Sequence, residues 1–212
     1  ENETKHGKGW DAYNLRYRMP SSNNKNGWKN QYYSFRFGNV HFTMVSTEDD
    51  LSPDSPQGLW LDSDLARASE AEDRPWIVLL THKGIHCSAD KKWMSKPSNA
   101  PALRQLLEPY LVRYSVSLMI SGHIHCYERT TPIHGVTHVT VGTGGAKLDD
   151  HWVFPQPEWS ANRLSKYGAV FLRMHAKALE VEFKGSSFGT SALASTDFDY
   201  ETLDSVHLTR PL

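Results

Sequence analysis

Three histidines carry the residue type and spacing in this chain that point to chemistry. His82 ends the run Leu79-Leu80-Thr81-His82-Lys83-Gly84, and His123 and His125 end Ile120-Ser121-Gly122-His123-Ile124-His125. Each set follows a short apolar segment, 76–81 (WIVLLT) and 115–121 (SVSLMIS), of the kind that forms a strand buried on both faces. Open α/β sheets collect ligands at the carboxyl ends of their strands, so these histidines are expected to converge on one crevice. On an extended segment the H-x-H spacing puts both imidazoles on the same side, and Gly122 lets backbone approach a ligand closely. Imidazole nitrogen suits zinc, iron or manganese at neutral pH. A lone strand-end histidine is more often a packing or surface residue. The weight rests on the whole string Ser121-Gly122-His123-Ile124-His125-Cys126-Tyr127-Glu128-Arg129, with a second His-terminated strand about 40 residues upstream.

The elements that must position these histidines are legible on either side of them. Residues 31–37 and 40–46 alternate polar and apolar around Gly38-Asn39, a hairpin signal. Residues 55–71 place Leu59, Leu61, Leu65 and Ala66 on one helical face after a Ser-Pro start, and residues 101–114 do the same with Leu103, Leu106, Leu107 and Leu111. Segments 137–141, 168–174 and 178–183 read as three further strands. The order strand, helix, strand predicts a layered α/β (α+β) arrangement of two sheets faced by helices. At 212 residues, without repeats or low-complexity tracts, the chain is expected to form one domain over 1–212.

Bulk properties exclude several classes. With 23 basic and 24 acidic residues and a net charge of −1, no whole-chain field recruits nucleic acid or an anionic membrane. No apolar run approaches the roughly 18 to 20 residues of a membrane span. Two cysteines, Cys87 and Cys126, make neither a disulfide scaffold nor a thiolate zinc module; they can pair or stay free. Asn2-Glu3-Thr4 is a glycosylation sequon and points weakly to a secreted parent.

The string around His123 resembles the G-H-x-H-x-Y-E-R hallmark of purple acid phosphatases, a branch of the calcineurin-like metallophosphoesterases. Further landmarks of that family stand in family order: Arg16-Tyr17-Arg18-Met19-Pro20, Tyr33 to Phe42, Gln57 to Leu65, Arg74 to Val78 and Gln156 to Ala161. The resemblance implies a two-sheet β-sandwich flanked by helices, incomplete at its N-terminus. It implies that His82 and His123 hold an exchangeable divalent metal, zinc, manganese or iron(II), and that His125 holds iron(III). Such a binuclear centre hydrolyses phosphate monoesters by activating water and clamping phosphoryl oxygens. The family's remaining ligands, two aspartates, a tyrosine and an asparagine, belong upstream of the matched region, and Glu1 is a candidate for the last residue of the G-N-H-E motif. The expected partner is therefore the missing N-terminal half of the catalytic domain, and little activity is expected of residues 1–212 alone. A phosphodiesterase or nucleotide pyrophosphatase of the same superfamily, or an inactive fragment or interaction module, are the alternatives. Family habit places such a protein in a secreted, vacuolar or lysosomal location.

Departures and lesser features complete the reading. Gly84 and His86 stand where relatives carry proline and an aromatic. His86 is the candidate to donate to phosphate or protonate the leaving group, with a partly exposed loop residue as the alternative. Lys91-Lys92 sits where some relatives face phosphate with a histidine pair, though a solvated loop is the simpler reading. Tyr127, Glu128 and Arg129 are expected to orient the histidine loop and close an ion pair beneath it. Gly142-Thr143-Gly144-Gly145 is expected to shape the wall of the site, and the remaining histidines to be surface or packing residues.

Overall fold

The computed structural model describes residues 10–20, 30–89, 100–175, 177–186 and 200–209. Along the chain these form α1 (Asp11–Arg16), β1 (Tyr33–Phe37), β2 (Val40–Val45), α2 (Pro56–Ser69), β3 (Trp76–Thr81), α3 (Ala100–Arg113) and β4 (Leu118–Ser121). There follow β5 (Tyr127–Thr130), β6 (Thr137–Val141), β7 (Ser160–Leu164), β8 (Gly168–Met174), β9 (Ala178–Ser186) and β10 (Tyr200–Thr209). Seven strands make one sheet in the order β1-β2-β3-β4-β6-β5-β7, and β10-β9-β8 make a second. Strands β2, β3, β4 and β6 run parallel, so their carboxyl ends share one edge of the large sheet.

Period-two alternation divides the large sheet between two cores. Trp76 and Val78 of β3, Val40 of β2, Leu118 of β4 and Val139 of β6 face the small sheet and pack with Leu179, Val181 and Phe183 of β9. Ile77 and Leu79 of β3 and Met119 of β4 face the other way, onto Leu61 and Leu65 of α2 and Leu103, Leu107 and Leu111 of α3. The expected two-sheet sandwich flanked by helices is what forms. Among the described residues, no helix is long and apolar enough to cross a membrane.

Helix α2 starts where its caps dictate: the Ser55 hydroxyl accepts from Gly58 N at 3.0 Å, and Pro56 occupies the first turn. Its buried face differs from the expected one. Leu59 points to solvent, and Gln57, Leu61, Asp64, Leu65 and Ala68 face inward. Buried polar groups override the apolar count there because each is fully partnered. Gln57 bridges the backbone of Ser46, and the fully buried Asp64 carboxylate accepts from Ser34 Oγ (2.6 Å), His41 Nε2 (2.8 Å) and Thr43 Oγ1 (2.9 Å). Burial opposes the charge of Asp64, but the hydrogen bonds from His41, Ser34 and Thr43 outweigh it and hold the carboxyl below its ordinary range.

Strand β4 begins three residues later than the apolar run suggests. Ser115 adopts φ +51, Ser115 N donates to Val112 O and Val116 N donates to Leu111 O, so the start of the run closes α3 instead. Strands β5, β7 and β10 carry too many polar residues to announce themselves. In β10 the pairing with β9 shifts register between Thr202 and Asp204, and Asp204 reaches across to β5: Arg129 Nε and Nη2 donate to it at 2.6 and 3.0 Å and Tyr127 Oη at 2.7 Å. This is the ion pair expected beneath the histidine loop, and its anion belongs to the second sheet.

Candidate metal centre

Strands β3 and β4 are parallel neighbours with Thr81 opposite Ser121, so His82 and Gly122 leave the sheet side by side. Gly122 N donates to His82 O at 3.0 Å, tying the two loops at their roots. Just beyond, His82 Nε2 and His123 Nδ1 lie 2.8 Å apart. The route to this pairing differs from the sequence expectation: 122–126 is a tight turn rather than an extended segment. Ile124 N donates to Gly122 O at 2.7 Å, Cys126 N to Ile124 O at 2.8 Å, and His123 takes φ +64. A non-glycine residue in the left-handed region is uncommon and costs conformational energy, and such residues concentrate at functional sites.

His125 is oriented from a different quarter. Its Nδ1 donates to Lys147 O at 2.9 Å, since a carbonyl only accepts, and this bond fixes the orientation of the ring. Its backbone is clasped as well, His125 N donating to Asp149 Oδ2 and Asp149 N to His125 O, each at 2.8 Å. All three histidines line a cleft of about 470 Å³ whose far wall is the 142–146 loop. Among the described residues, no three His, Cys, Asp or Glu side chains gather closely enough to hold a single ion. The arrangement is a facing pair and a separate third imidazole.

Two glycines are needed for this shape. A side chain at Gly142 would place its Cβ 2.0 Å from Ile124 O, and one at Gly84 would fall 2.6 Å from Ser121 Oγ, so the 142–146 wall and the His82 loop both approach the His123 loop closer than any Cβ allows. Lys83 pairs with Glu48 at 2.8 Å, and its N donates to Thr47 Oγ1, fastening the loop to the end of β2. Beneath it, the buried Glu128 carboxylate accepts from Ser88 N (2.6 Å), Ser88 Oγ and Ser160 Oγ, joining the His82 loop to β5 and β7. Next to this network the Cys87 thiol contacts that of Cys126, and this contact, with burial, pushes its pKa up.

The structure does not bring His86 to the cleft. Its ring is buried, 4.6 Å from that of His138 and 5.8 Å from that of Trp159, and Nε2 lies 3.4 Å from Glu108 Oε1. His86, the candidate for a phosphate-facing donor, is thus placed among His138, Trp159 and Glu108 of the helix side and is absent from the lining of the histidine cleft. Burial and the nearby Arg104 push its pKa down. His138, one of the expected packing histidines, is pushed to about 3 by burial, with His86 and Arg104 adding to the effect. Lys91-Lys92, Glu1, His6 and the 2–4 sequon lie outside the described residues.

A pH dependence follows from His138. Its folded pKa is depressed, so between about pH 3 and 6.5 the unfolded chain binds a proton that the folded chain refuses. Stability is therefore complete above pH 6.5 and declines as pH falls. The expected loss between pH 7 and pH 5 is about 2 kcal/mol from this residue. Urea midpoints at the two pH values will show it, and His138→Gln is expected to flatten the difference; an unchanged slope would assign the loss to other groups.

Sequence reasoning missed Lys147 and Asp149, which orient His125, and Ser88 and Ser160, which hold Glu128. These are contacts of 20 to 40 residues in separation with no local signature. Only the Tyr127-Glu128-Arg129 string hinted at them.

Comparison with known proteins agrees with this geometry. Residues 1–127 match the calcineurin-like phosphoesterase family and residues 135–200 the iron/zinc purple acid phosphatase-like protein C family. The chain is 30% identical over 172 residues to purple acid phosphatase 18 of Arabidopsis thaliana, covering 77% of this chain and 38% of that protein. It is 30% identical over 163 residues to phosphoenolpyruvate phosphatase of Allium cepa, covering 68% and 33%. A probable inactive purple acid phosphatase 9 of Arabidopsis thaliana is 27% identical over 204 residues, covering 84% and 31%. The chain thus spans less than two fifths of the length of the curated relatives it matches. The solved purple acid phosphatase from yellow lupin (Lupinus luteus) seeds superposes with a TM-score of 0.70 at 26% identity, over 84% of this chain and 32% of that one. The cleft histidines thus sit in a chain matched along most of its length, and that chain belongs to the calcineurin-like phosphoesterase family, in its purple acid phosphatase branch.

Proposed function

We propose that this chain supplies the histidine half of a binuclear metal site that hydrolyses phosphate monoesters as an acid phosphatase. The observation that carries the reading is the facing of His82 Nε2 and His123 Nδ1 at 2.8 Å, two ring nitrogens delivered to one point from two separate loops. The donor set fits such a centre in part. His82 and His123 would hold the divalent ion, zinc, manganese or iron(II), and His125, with its Nδ1 already engaged by Lys147 O, would hold iron(III) through Nε2. When bound, the pair supplies a water of lowered pKa and charge against the phosphoryl oxygens.

The chain's own residues perform the positioning. Glu128 and Lys83 fasten the His82 loop, Asp149 fixes the His125 backbone, and the 142–146 loop walls the cleft against the phosphate ester. Hard cations want oxygen donors, and among the described residues no cluster of three or more His, Cys, Asp or Glu forms at the histidines. The aspartate, tyrosine and asparagine ligands belong to an upstream segment, which is the partner half of the site. A secreted, vacuolar or lysosomal address goes with this reading.

The test compares phosphate release from an aryl monoester by residues 1–212 and by a chain extended upstream, each with and without chelator. Chelator-sensitive release from the extended chain alone is expected, with the short chain lower by at least about 10³-fold because an incomplete site forgoes several kcal/mol of charge stabilisation. Strong release by the 212 residues alone would overturn the split-site reading. Preference for an aryl diester would reassign the substrate, and silence in both would leave an inactive relative.

A further inference from the structure

Cys87 and Cys126, the two cysteines of the chain, sit on the two histidine loops: Cys126 directly follows His125, and Cys87 lies five residues beyond His82. Both are free thiols, and Cys87 packs against the small cluster that contains Cys126. They pack with Ala89, Ile124 and Trp152 in a small apolar cluster of their own, separate from both main cores. Neither lines the cleft of the three histidines. Cys126 is fully buried, whereas Cys87 is partly accessible. Two thiols packed into one cluster, one of them partly accessible, can be joined by exchange with a disulfide, slowly because Cys87 is held mainly as the thiol, and ester hydrolysis does not use them.

We infer that Cys87 and Cys126 form a dithiol/disulfide couple that crosslinks the His82 loop to the His125 loop, with a low-molecular-weight disulfide as the oxidant. The Cys87 sulfur, as thiolate, attacks that disulfide, forming a mixed disulfide and releasing one small thiolate. The Cys126 sulfur then attacks Cys87 Sγ, giving up its proton as the Sγ–Sγ bond forms, and expels the second small thiolate. The two cysteine protons end on the two released thiols, and the oxidant is reduced by the two electrons the cysteines lose. The two loops are already tied by hydrogen bonds, Gly122 N donating to His82 O and Ser88 N, next to Cys87, to Glu128. The crosslink closes a loop of about 40 residues, long enough that it restricts the unfolded chain substantially. It fixes the two histidine loops relative to each other by a covalent bond in place of hydrogen bonds. This couple stands independently of the metal reading, since it is present whether or not the protein turns over any ester.

The experiment equilibrates the full-length protein in graded mixtures of reduced and oxidised glutathione, blocks free thiols, and maps non-reduced peptides by mass spectrometry. A peptide pair joined through Cys87 and Cys126, lighter by two hydrogens and separated by reductant, is expected at the oxidising end. The oxidised form is expected to melt higher than the reduced form by on the order of 10 °C. Cys87→Ser, at the accessible position, and Cys126→Ala, which keeps the buried site apolar, should each remove both the joined peptide and the difference in melting. Overturning results are two free thiols at full oxidation in a protein with native near-ultraviolet circular dichroism, or a glutathione adduct on Cys87 with no joined peptide.

Discussion

His123→Ala in the full-length protein is expected to lower kcat/KM for an aryl phosphate monoester by at least about 10³-fold and to strip metal from the site. The magnitude follows from what the ligand holds, since charge stabilisation and water activation by a bound cation together amount to several kcal/mol and each 1.36 kcal/mol is a factor of about ten. His123 is chosen over His82 because its imidazole reaches the pair through a left-handed backbone turn, φ +64. Removing the ring leaves His82 Nε2 without its 2.8 Å neighbour and leaves the cores untouched. The variant should therefore fold and melt close to the parent while its metal content falls, measured by elemental analysis after dialysis. A variant that keeps both metal and turnover would remove His123 from the site and with it the argument for a shared cation. His86→Ala makes the informative contrast: its ring is buried against His138 and Trp159, so stability is where its loss should register.

Much of this site is legible in the sequence, and the reasons are physical. Strand β3 matches the apolar run 76–81 residue for residue, because a strand buried on both faces tolerates only apolar residues and so writes itself plainly into the sequence. Strands β6 and β8 are found at their expected bounds for the same kind of reason, β8 by its strict in-out alternation of Val170, Leu172 and Met174 against Ala169, Phe171 and Arg173. The placement of His82, His123 and His125 around one cleft follows from parallel strands ending on one sheet edge.

What escaped the sequence is whatever depends on backbone conformation or on distant polar partners. The left-handed turn at His123 has no compositional mark, since histidine reads the same in an extended segment. The placement of His86 among His138, Trp159 and Glu108 is a matter of tertiary contact. Leu59 was expected inside and Asp64 was not, because hydrophobic counting cannot see that Ser34, His41 and Thr43 wait across the sheet to satisfy a carboxylate. Strand β10, with its Thr, Asp, Ser and His content, shows neither clean alternation nor an apolar run.

That last strand carries a residue whose loss should damage the fold severely. Asp204 receives two hydrogen bonds from Arg129 and one from Tyr127, and the Tyr127 ring stacks on Phe183 at 4.0 Å between centroids, so three strands from two sheets meet at one carboxylate. Arg129 and Asp204 expose only 15% and 8% of their side chains, which puts the pair in the class where removing one partner strands a buried charge. Asp204→Ala is expected to cost about 3–5 kcal/mol, a fall in melting temperature of roughly 10 °C for a chain of this size. Asp204→Asn, which keeps the shape and removes the charge, should recover only part of it. The acid limb of the stability curve gives an independent check. Burial opposes the charge of Asp204, yet hydrogen bonds from Arg129, Tyr127 and Asn162 hold its pKa below the ordinary value. A carboxyl depressed in the folded state contributes stability above its unfolded pKa near 3.8, and that contribution fades as pH falls through the lower folded value. In the parent this acid loss should add, below pH 4, to the decline already set by His138; in Asp204→Asn it should be absent, while the His138 limb at higher pH persists. An Asp204→Asn protein with the parent's acid profile would show that the sheets are held together elsewhere, and that β5, which leads directly out of the His125 turn, owes its position to the apolar core alone.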